Sequence, residues 1–138
     1  CKIPQVVSAG ALDMVNFGPY DTVPKEFAGR NLYQHNPTVT LMRTTPEENR
    51  QLGEIIAEKL NMGEGKTTFM IPLKGVSMID GEGQAFYDPE ADKVLFDTLR
   101  EKLDPSKVEL IETDLHINDQ AFAEAAAQKL IDLMTEEN

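Results

Sequence analysis

Apolar and polar positions change period several times along this chain, and each change marks an element. "IPQVV" at residues 3 to 7 predicts a strand, and the small residues and glycine of "SAGALD" after it predict a loop. Residues 13 to 36 hold Pro19, Pro24 and Gly29 and show no sustained period. They read as a long irregular connection with one short helical turn near "VPKEF", the kind of loop that is usually functional or interfacial. From Thr38, "TVTLMR" is rich in β-branched residues and predicts a second strand. Thr45, Pro46 and Glu48 then match a capping box with proline in the first helical position, and Leu52, Ile55, Ile56 and Leu60 follow at helical spacing. That helix is expected to stop at residues 61 to 63 on a left-handed cap.

"KTTFMIPL" predicts a third strand, and "KGVSMIDGEGQAF" a glycine-rich loop with an apolar centre. Asp88 as N-cap and Pro89 open a second helix with Ala91, Leu95, Leu99 and Leu103 on one stripe, ending at Asp104 and Pro105. "KVELIE" predicts a fourth strand and "TDLHIND" a polar loop; residues 120 to 135 form a last helix with Phe122, Ala126, Leu130 and Leu133 toward the core. Strand and helix alternate three times with short returns, which predicts an α/β fold: a mainly parallel sheet with flanking helices, Rossmann-like in three layers. Residues 1 to 138 read as a single domain. In such sheets ligands sit beyond the carboxyl ends of the strands.

One motif points elsewhere. "NMGEGKTTF" carries Gly65, Lys66 and Thr67 in the order that ends a phosphate-binding P-loop. A P-loop runs strand, glycine loop, helix, because the phosphates rest on the first free amides of the helix. Here the loop follows a helix and precedes a strand, and Leu60 stands where the first glycine is required. Gly63 and Gly65 are therefore read as turn residues at the opposite edge.

The carboxyl edge gathers "SAGALD", "RTTPEE", "LKGVSMIDGEG" and "TDLHIND", one after each expected strand. Arg43 with the amides beyond Thr45, and Lys74 with Gly75 and Ser77, are candidates to receive an anion, with Gly10, Thr44 and Asn118 beside them. Thr44 and Thr45 also suit helix capping. Asp114 and His116 alternate onto one side of their segment, which makes His116 a candidate acid or base oriented by Asp114. A histidine bracing a turn is the structural alternative, and Asp119 suits the N-cap of the last helix. His35 is a possible companion to His116, and Asp13 suits a metal, a hydroxyl group or a helix start.

Composition narrows the functional classes. Twenty-four acidic against thirteen basic side chains give a net charge of −11, which disfavours a nucleic-acid partner. No apolar run reaches the length of a membrane span. The lone cysteine, Cys1, allows no intrachain disulfide and favours the cytoplasm. The start at "CKIPQVV" reads as the cut edge of a longer polypeptide. No G-x-S-x-G elbow, paired cysteines, H-E-x-x-H or G-x-G-x-x-G signature occurs.

"VVSAGALDMVNFGP", "LYQHNPTVTLMRTTPEE", "IPLKGVSMIDGEGQAFYDPEAD" and "DLHIND", in that order, resemble a family of uncharacterised proteins of bacteria, fungi and plants. That family includes the N-terminal ATP-binding domain of the tomato mosaic virus resistance protein. The resemblance covers nearly the whole chain and implies the C-terminal part of a two-lobed α/β protein. It implies ATP as ligand, with magnesium, a missing N-terminal lobe as partner, and self-association into a homo-oligomer. Family members commonly carry proline where Gln120 stands, which agrees with a capping role for Asp119. The first expectation is thus a nucleotide-binding or related anion-binding domain with metal ligands unassigned. The alternatives are an enzyme using His116 in an inter-lobe cleft, or an interaction module built on Phe17, Tyr20, Phe27 and Tyr33.

Overall fold

In a computed structural model that describes residues 2 to 135, the chain forms two sheets and three helices. In chain order these are β1 (Gln5–Ser8), β2 (Met14–Phe17), β3 (Leu32–Asn36), β4 (Val39–Arg43), α1 (Pro46–Asn61), β5 (Thr67–Pro72), α2 (Pro89–Lys102), β6 (Val108–Thr113) and α3 (Gln120–Thr135). Short 3-10 turns at Tyr20–Thr22 and Lys25–Phe27 lie between β2 and β3, the second of them at the expected "VPKEF" turn. The inference drawn from Cys1 lies outside the described residues.

The α/β architecture is as expected. β5 is the middle of a parallel sheet ordered β1-β5-β6, with Gln5 beside Thr67 and Thr67 beside Val108. Every residue of β5 is buried, as a strand with neighbours on both edges and helices on both faces requires. Phe69 and Ile71 join Leu95, Leu99 and Leu103 of the α2 segment and Ala57 of α1 in the main core. Full burial of each large apolar side chain is worth about 1.5–3 kcal/mol. Strand alternation turns Thr68 and Met70 to the opposite face, where Lys129 of α3 pairs with Glu109, the β6 neighbour of Thr68.

The second strand differs from expectation. β4 does not join the parallel sheet but is the middle of a separate antiparallel sheet, ordered β2-β4-β3. Its partners come from residues 13 to 36, which are thus not simply irregular. Phe17 and Phe27 pack at 5.6 Å and Tyr33 meets Phe86 edge-on at 6.1 Å, so three of the four aromatic residues of that segment contact other rings of this domain; Tyr20 is exposed. Phe17, Phe27 and Tyr33 are thereby half-buried.

The signals that start the helices hold in detail. Thr45 accepts from the Glu48 amide while Glu48 accepts from the Thr45 amide, and Asp88 accepts from the Ala91 amide. Leu52, Ile56 and Leu60 pack against the core as expected, but the fully buried stripe of α1 is Asn49, Gly53 and Ala57, and Ile55 is 48% exposed. Small residues win because α2 passes close by: a Cβ on Gly53 would lie 2.9 Å from Thr98. The end of α1 is not left-handed either. Met62 stays right-handed at φ −78°, and the Gly63 amide closes a tight turn on the Leu60 carbonyl at 3.0 Å. Gly65 is required for another reason, since a Cβ there would sit 2.5 Å from the Ile3 carbonyl oxygen. The "GEGKTT" stretch is the entry to β5, at the amino edge of the sheet.

Candidate functional site

The loops leaving β1, β5 and β6 emerge on one edge, as parallel strands demand, and their backbones stitch together. Ala11 donates to the Val76 carbonyl at 2.9 Å, Lys74 to Leu115 at 3.1 Å and Ile117 to Gly75 at 3.1 Å. The segment after β4 reaches the same place from the other sheet. Thr44 donates its amide to the Asp13 carbonyl at 2.9 Å and its hydroxyl to the Leu12 carbonyl at 2.8 Å. All four segments therefore meet, although only three follow strands of the parallel sheet.

His116 occupies the seam between the loops after β5 and β6. Its Nε2 donates to the Ser77 carbonyl at 2.8 Å, and its Nδ1 accepts the Asn118 amide at 3.1 Å. A carbonyl can only accept and an amide N–H only donate, so these partners fix the tautomer. Gly75 lies against the ring: a Cβ there would fall 2.8 Å from His116 Cδ2, and its φ of +137° is a glycine conformation. Asp114 does not orient His116. Its side chain is 85% exposed and stands 3.7 Å from Lys74 Nζ. The carboxylate serving this turn is Asp119, whose Oδ2 accepts the His116 amide at 2.8 Å while its backbone carbonyl accepts from Phe122 and Ala123 at the start of α3. With both ring nitrogens committed, the geometry gives His116 a bracing role.

Beneath this seam lies a buried ionic cluster. Arg43 is 4% exposed; its Nη2 donates to Asp80 at 2.9 Å and to Asp92 at 2.7 Å, and its Nε to the Phe86 carbonyl at 2.9 Å. A guanidinium so engaged fixes the loop after β5 to α2 and is not open to a ligand, and Thr44, also buried, accepts from Asn49 at 2.9 Å. Burial, followed by the hydrogen bond with Asp92, pushes the Asp80 carboxyl up to about 8 against the opposing pull of the Val76 amide and Arg43. Asp13, fully buried, accepts the Ser77 hydroxyl at 2.6 Å; burial raises its carboxyl above the ordinary range, and the Ser77 bond and Arg43 oppose the rise. Ser77 thereby ties the loop after β5 to the loop after β1.

Above the cluster opens a cleft of about 590 Å³. Leu73 and Lys74 after β5, Gly81 and Glu82 in the long loop, and His116 and Asp119 after β6 form one side. Pro89, Asp92, Lys93, Phe96 and Arg100 form the other, a helical stripe on α2 next to its core stripe, with Tyr87 at its head. Of the anticipated residues, Lys74 and His116 line this cleft. Gly75, Ser77 and Asn118 support it from behind, and Arg43 lies below it through Asp92. Gly10 packs against Ile117, where a Cβ would meet its Cδ1 at 3.4 Å, away from the cleft lining. His35 and His116 are not brought together: His35 borders a separate groove of about 280 Å³ on the antiparallel sheet with Met14, Leu41 and Met78. Among the described residues no group of three or more histidine, cysteine, aspartate or glutamate side chains is placed to hold a metal.

Asp80, Tyr87, Asp92, Lys93, Phe96 and Arg100 were not singled out from the sequence. The available signal was the second stripe on the helix after Pro89, where Phe96 and Arg100 fall beside, not on, the Ala91, Leu95 and Leu99 row. Asp80 and Asp92 carried no signal, because nothing local announces that a distant arginine will lie between them.

Residues 1–134 match the family described as uncharacterised protein family (UPF0261) C-terminal domain. A UPF0261 protein of Clostridium tetani is 60% identical over 132 residues, 96% of this chain and 33% of its own length. One of Rhizobium meliloti is 52% identical over 132 residues, 95% of this chain and 33% of its own. The tomato ToMV resistance protein Tm-1 is 44% identical over 133 residues, 96% of this chain and 18% of its own, and the tomato ToMV susceptible protein matches over the same span at the same identity. The chain thus spans about a third of the length of these bacterial relatives. On the extent of the match and the identity to its bacterial relatives, this chain belongs to the UPF0261 family, as its C-terminal domain.

Proposed function

We propose that this domain binds an anionic small molecule of the nucleotide class, ATP with magnesium being the first candidate, in the cleft at the carboxyl edge of the parallel sheet. The observation that carries the reading is the composition of that cleft. Its volume of about 590 Å³ falls in the range of small-molecule sites. Tyr87, Leu73 and Phe96 offer apolar surface for a ring, while Lys74, Lys93 and Arg100 offer positive charge, set against the carboxyl groups of Glu82, Asp92 and Asp119, in a chain whose net charge is −11. Lys74 is the most available cation. It is 57% exposed and its nearest carboxylate, Asp114, stands at 3.7 Å, beyond hydrogen-bond distance. Lys93 is already bonded to Asp97, and Arg100 to Asp97 and Glu112.

Magnesium, in this reading, arrives with the phosphates and completes its shell from them and water, as that ion commonly does. Because the bacterial relatives are about three times as long, the cleft is proposed to face the preceding lobe of the whole protein, which would close over the ligand. Self-association and a cytoplasmic setting belong to the same proposal, with no nucleic-acid partner. Among the described residues no helix is long and apolar enough to cross a membrane. No proton transfer by His116 is included, because both its ring nitrogens are hydrogen-bonded. Resistance to virus is named for a tomato relative, and an equal likeness to the protein named susceptible gives no reason to carry it over. Titration calorimetry with ATP, with and without magnesium, on this chain and on the full-length Clostridium tetani relative tests the proposal. Saturable heat from either supports it, and no heat from both sinks it.

A further inference from the structure

Asp80 and Asp92 lie under the cleft with one cation between them. Arg43 Nη2 reaches both carboxyl groups, at 2.9 and 2.7 Å, so an oxygen of each converges on one guanidinium nitrogen. One guanidinium charge balances one carboxylate, and burial beside it disfavours ionising the second, so the pair favours holding a proton. Asp80 is fully buried, whereas Asp92 forms part of the cleft wall. A proton-holding pair therefore borders the space a ligand would fill.

We infer that the cleft takes up its anionic ligand together with a proton, which the Asp80 and Asp92 pair holds beneath it. This rests on the anion-binding reading of the same cleft. Arg43 balances one negative charge of the pair, so a second, unprotonated carboxylate leaves surplus charge directly under the ligand. An anion set against Asp92 is repelled by that surplus, and a proton taken from the buffer onto the pair removes it. No other bond changes. Proton and ligand then favour each other by the same factor, as linkage requires.

The groups facing the pair agree with this balance. Arg43 comes from β4, and Asp13, from the loop after β1, adds a further acid whose hydrogen bond goes to Ser77. On the cleft side stand Lys74, Glu82, Lys93, Arg100, His116 and Asp119. Lys93 is bonded to Asp97, one turn along α2 and away from Asp92. Arg43 is the cation hydrogen-bonded to both acids.

The test is titration calorimetry of the whole chain with ATP as probe, from about pH 6 to about pH 9, in pairs of buffers with different ionisation enthalpies. A phosphate's own last proton leaves near pH 6, so ATP contributes little uptake at the alkaline end. Affinity is expected to be flat below about pH 7 and to fall by up to about tenfold per pH unit above about pH 8, with uptake approaching one proton per ATP. Asp80→Asn, which fixes the pair at the single negative charge that Arg43 balances, should bind at about pH 9 without proton uptake. Asp92→Asn makes the same reading if the first variant does not fold. Binding that is independent of pH with no proton uptake overturns the coupling and leaves anion binding standing. Proton uptake that persists in the Asn variant overturns the assignment to this pair. No heat at any pH from this chain overturns the coupling, and no heat from the full-length Clostridium tetani relative as well overturns the anion-binding reading with it.

Discussion

His116 Nε2 lies 2.8 Å from the Ser77 carbonyl oxygen, so the loop after β6 is bolted to the loop after β5 by an imidazole whose other nitrogen is occupied by the Asn118 amide. The expected consequence of His116→Ala is a loss of stability. The Ser77 carbonyl and the Asn118 amide lose their partner together, at a cost of about 1–3 kcal/mol. Urea denaturation measures it. An unchanged midpoint would show that the bracing account is wrong.

This role was half visible in the sequence. "DLHIND" announced a polar turn, and a bracing histidine was one of two readings, but alternation alone suggested that Asp114 would orient His116. The partner is Asp119 instead, because after Thr113 the chain leaves the strand and alternation no longer governs it. The capping signals at Thr45 and Asp88 were legible because each depends on residues within three positions. The membership of β4 was not. A β-branched run serves a parallel or an antiparallel neighbour equally well, and β2 and β3 are short strands with largely exposed residues, separated by 14 residues. The cleft itself depends on α2 lying beside the end of β6, a pairing no local pattern encodes.

Arg43 offers the sharpest stability test. Arg43→Ala leaves Asp80 and Asp92 buried without their cation, which should cost about 3–5 kcal/mol. Arg43→Lys should recover only part of this, since an ammonium cannot reproduce the guanidinium fork that meets both carboxyls and the Phe86 carbonyl. Chemical denaturation of the two variants gives the ranking. Equal stability of the unaltered protein and Arg43→Ala would mean that the cluster contributes nothing to holding α2.

The raised Asp80 carboxyl fixes the sign of a pH effect. An unfolded chain holds this group near the ordinary aspartate value of 3.8, and the folded protein holds it at about 8. Between those values the native state binds the extra proton, so this group's contribution to stability is fully present below about pH 4 and is lost as pH rises through about 8. The melting temperature of the unaltered protein should therefore decline toward alkaline pH more steeply than that of Asp80→Asn. Parallel curves for the two proteins would remove Asp80 as the source.

Lys74 carries the prediction closest to function. Its ammonium is exposed at the mouth of the cleft and is held by no short hydrogen bond, so replacing it should cost little stability and act on ligand affinity instead. A charge-assisted bond to a phosphate in a partly exposed setting is worth about 1.4 kcal/mol, and Lys74→Gln should accordingly weaken ATP binding about tenfold. Lys59→Gln, on the last turn of α1 away from the cleft lining, serves as the control for general charge and should leave affinity nearly unchanged. Salt separates the two kinds of effect. Affinity carried by Lys74 falls as ionic strength rises, and the gap between the unaltered protein and Lys74→Gln narrows with it, because screening removes from the former what the substitution has already removed from the latter. A gap that stays constant with salt would show that Lys74 acts through shape, and the anion would then have to be gripped by Lys93 after it releases Asp97, or by Arg100 after it releases Asp97 and Glu112.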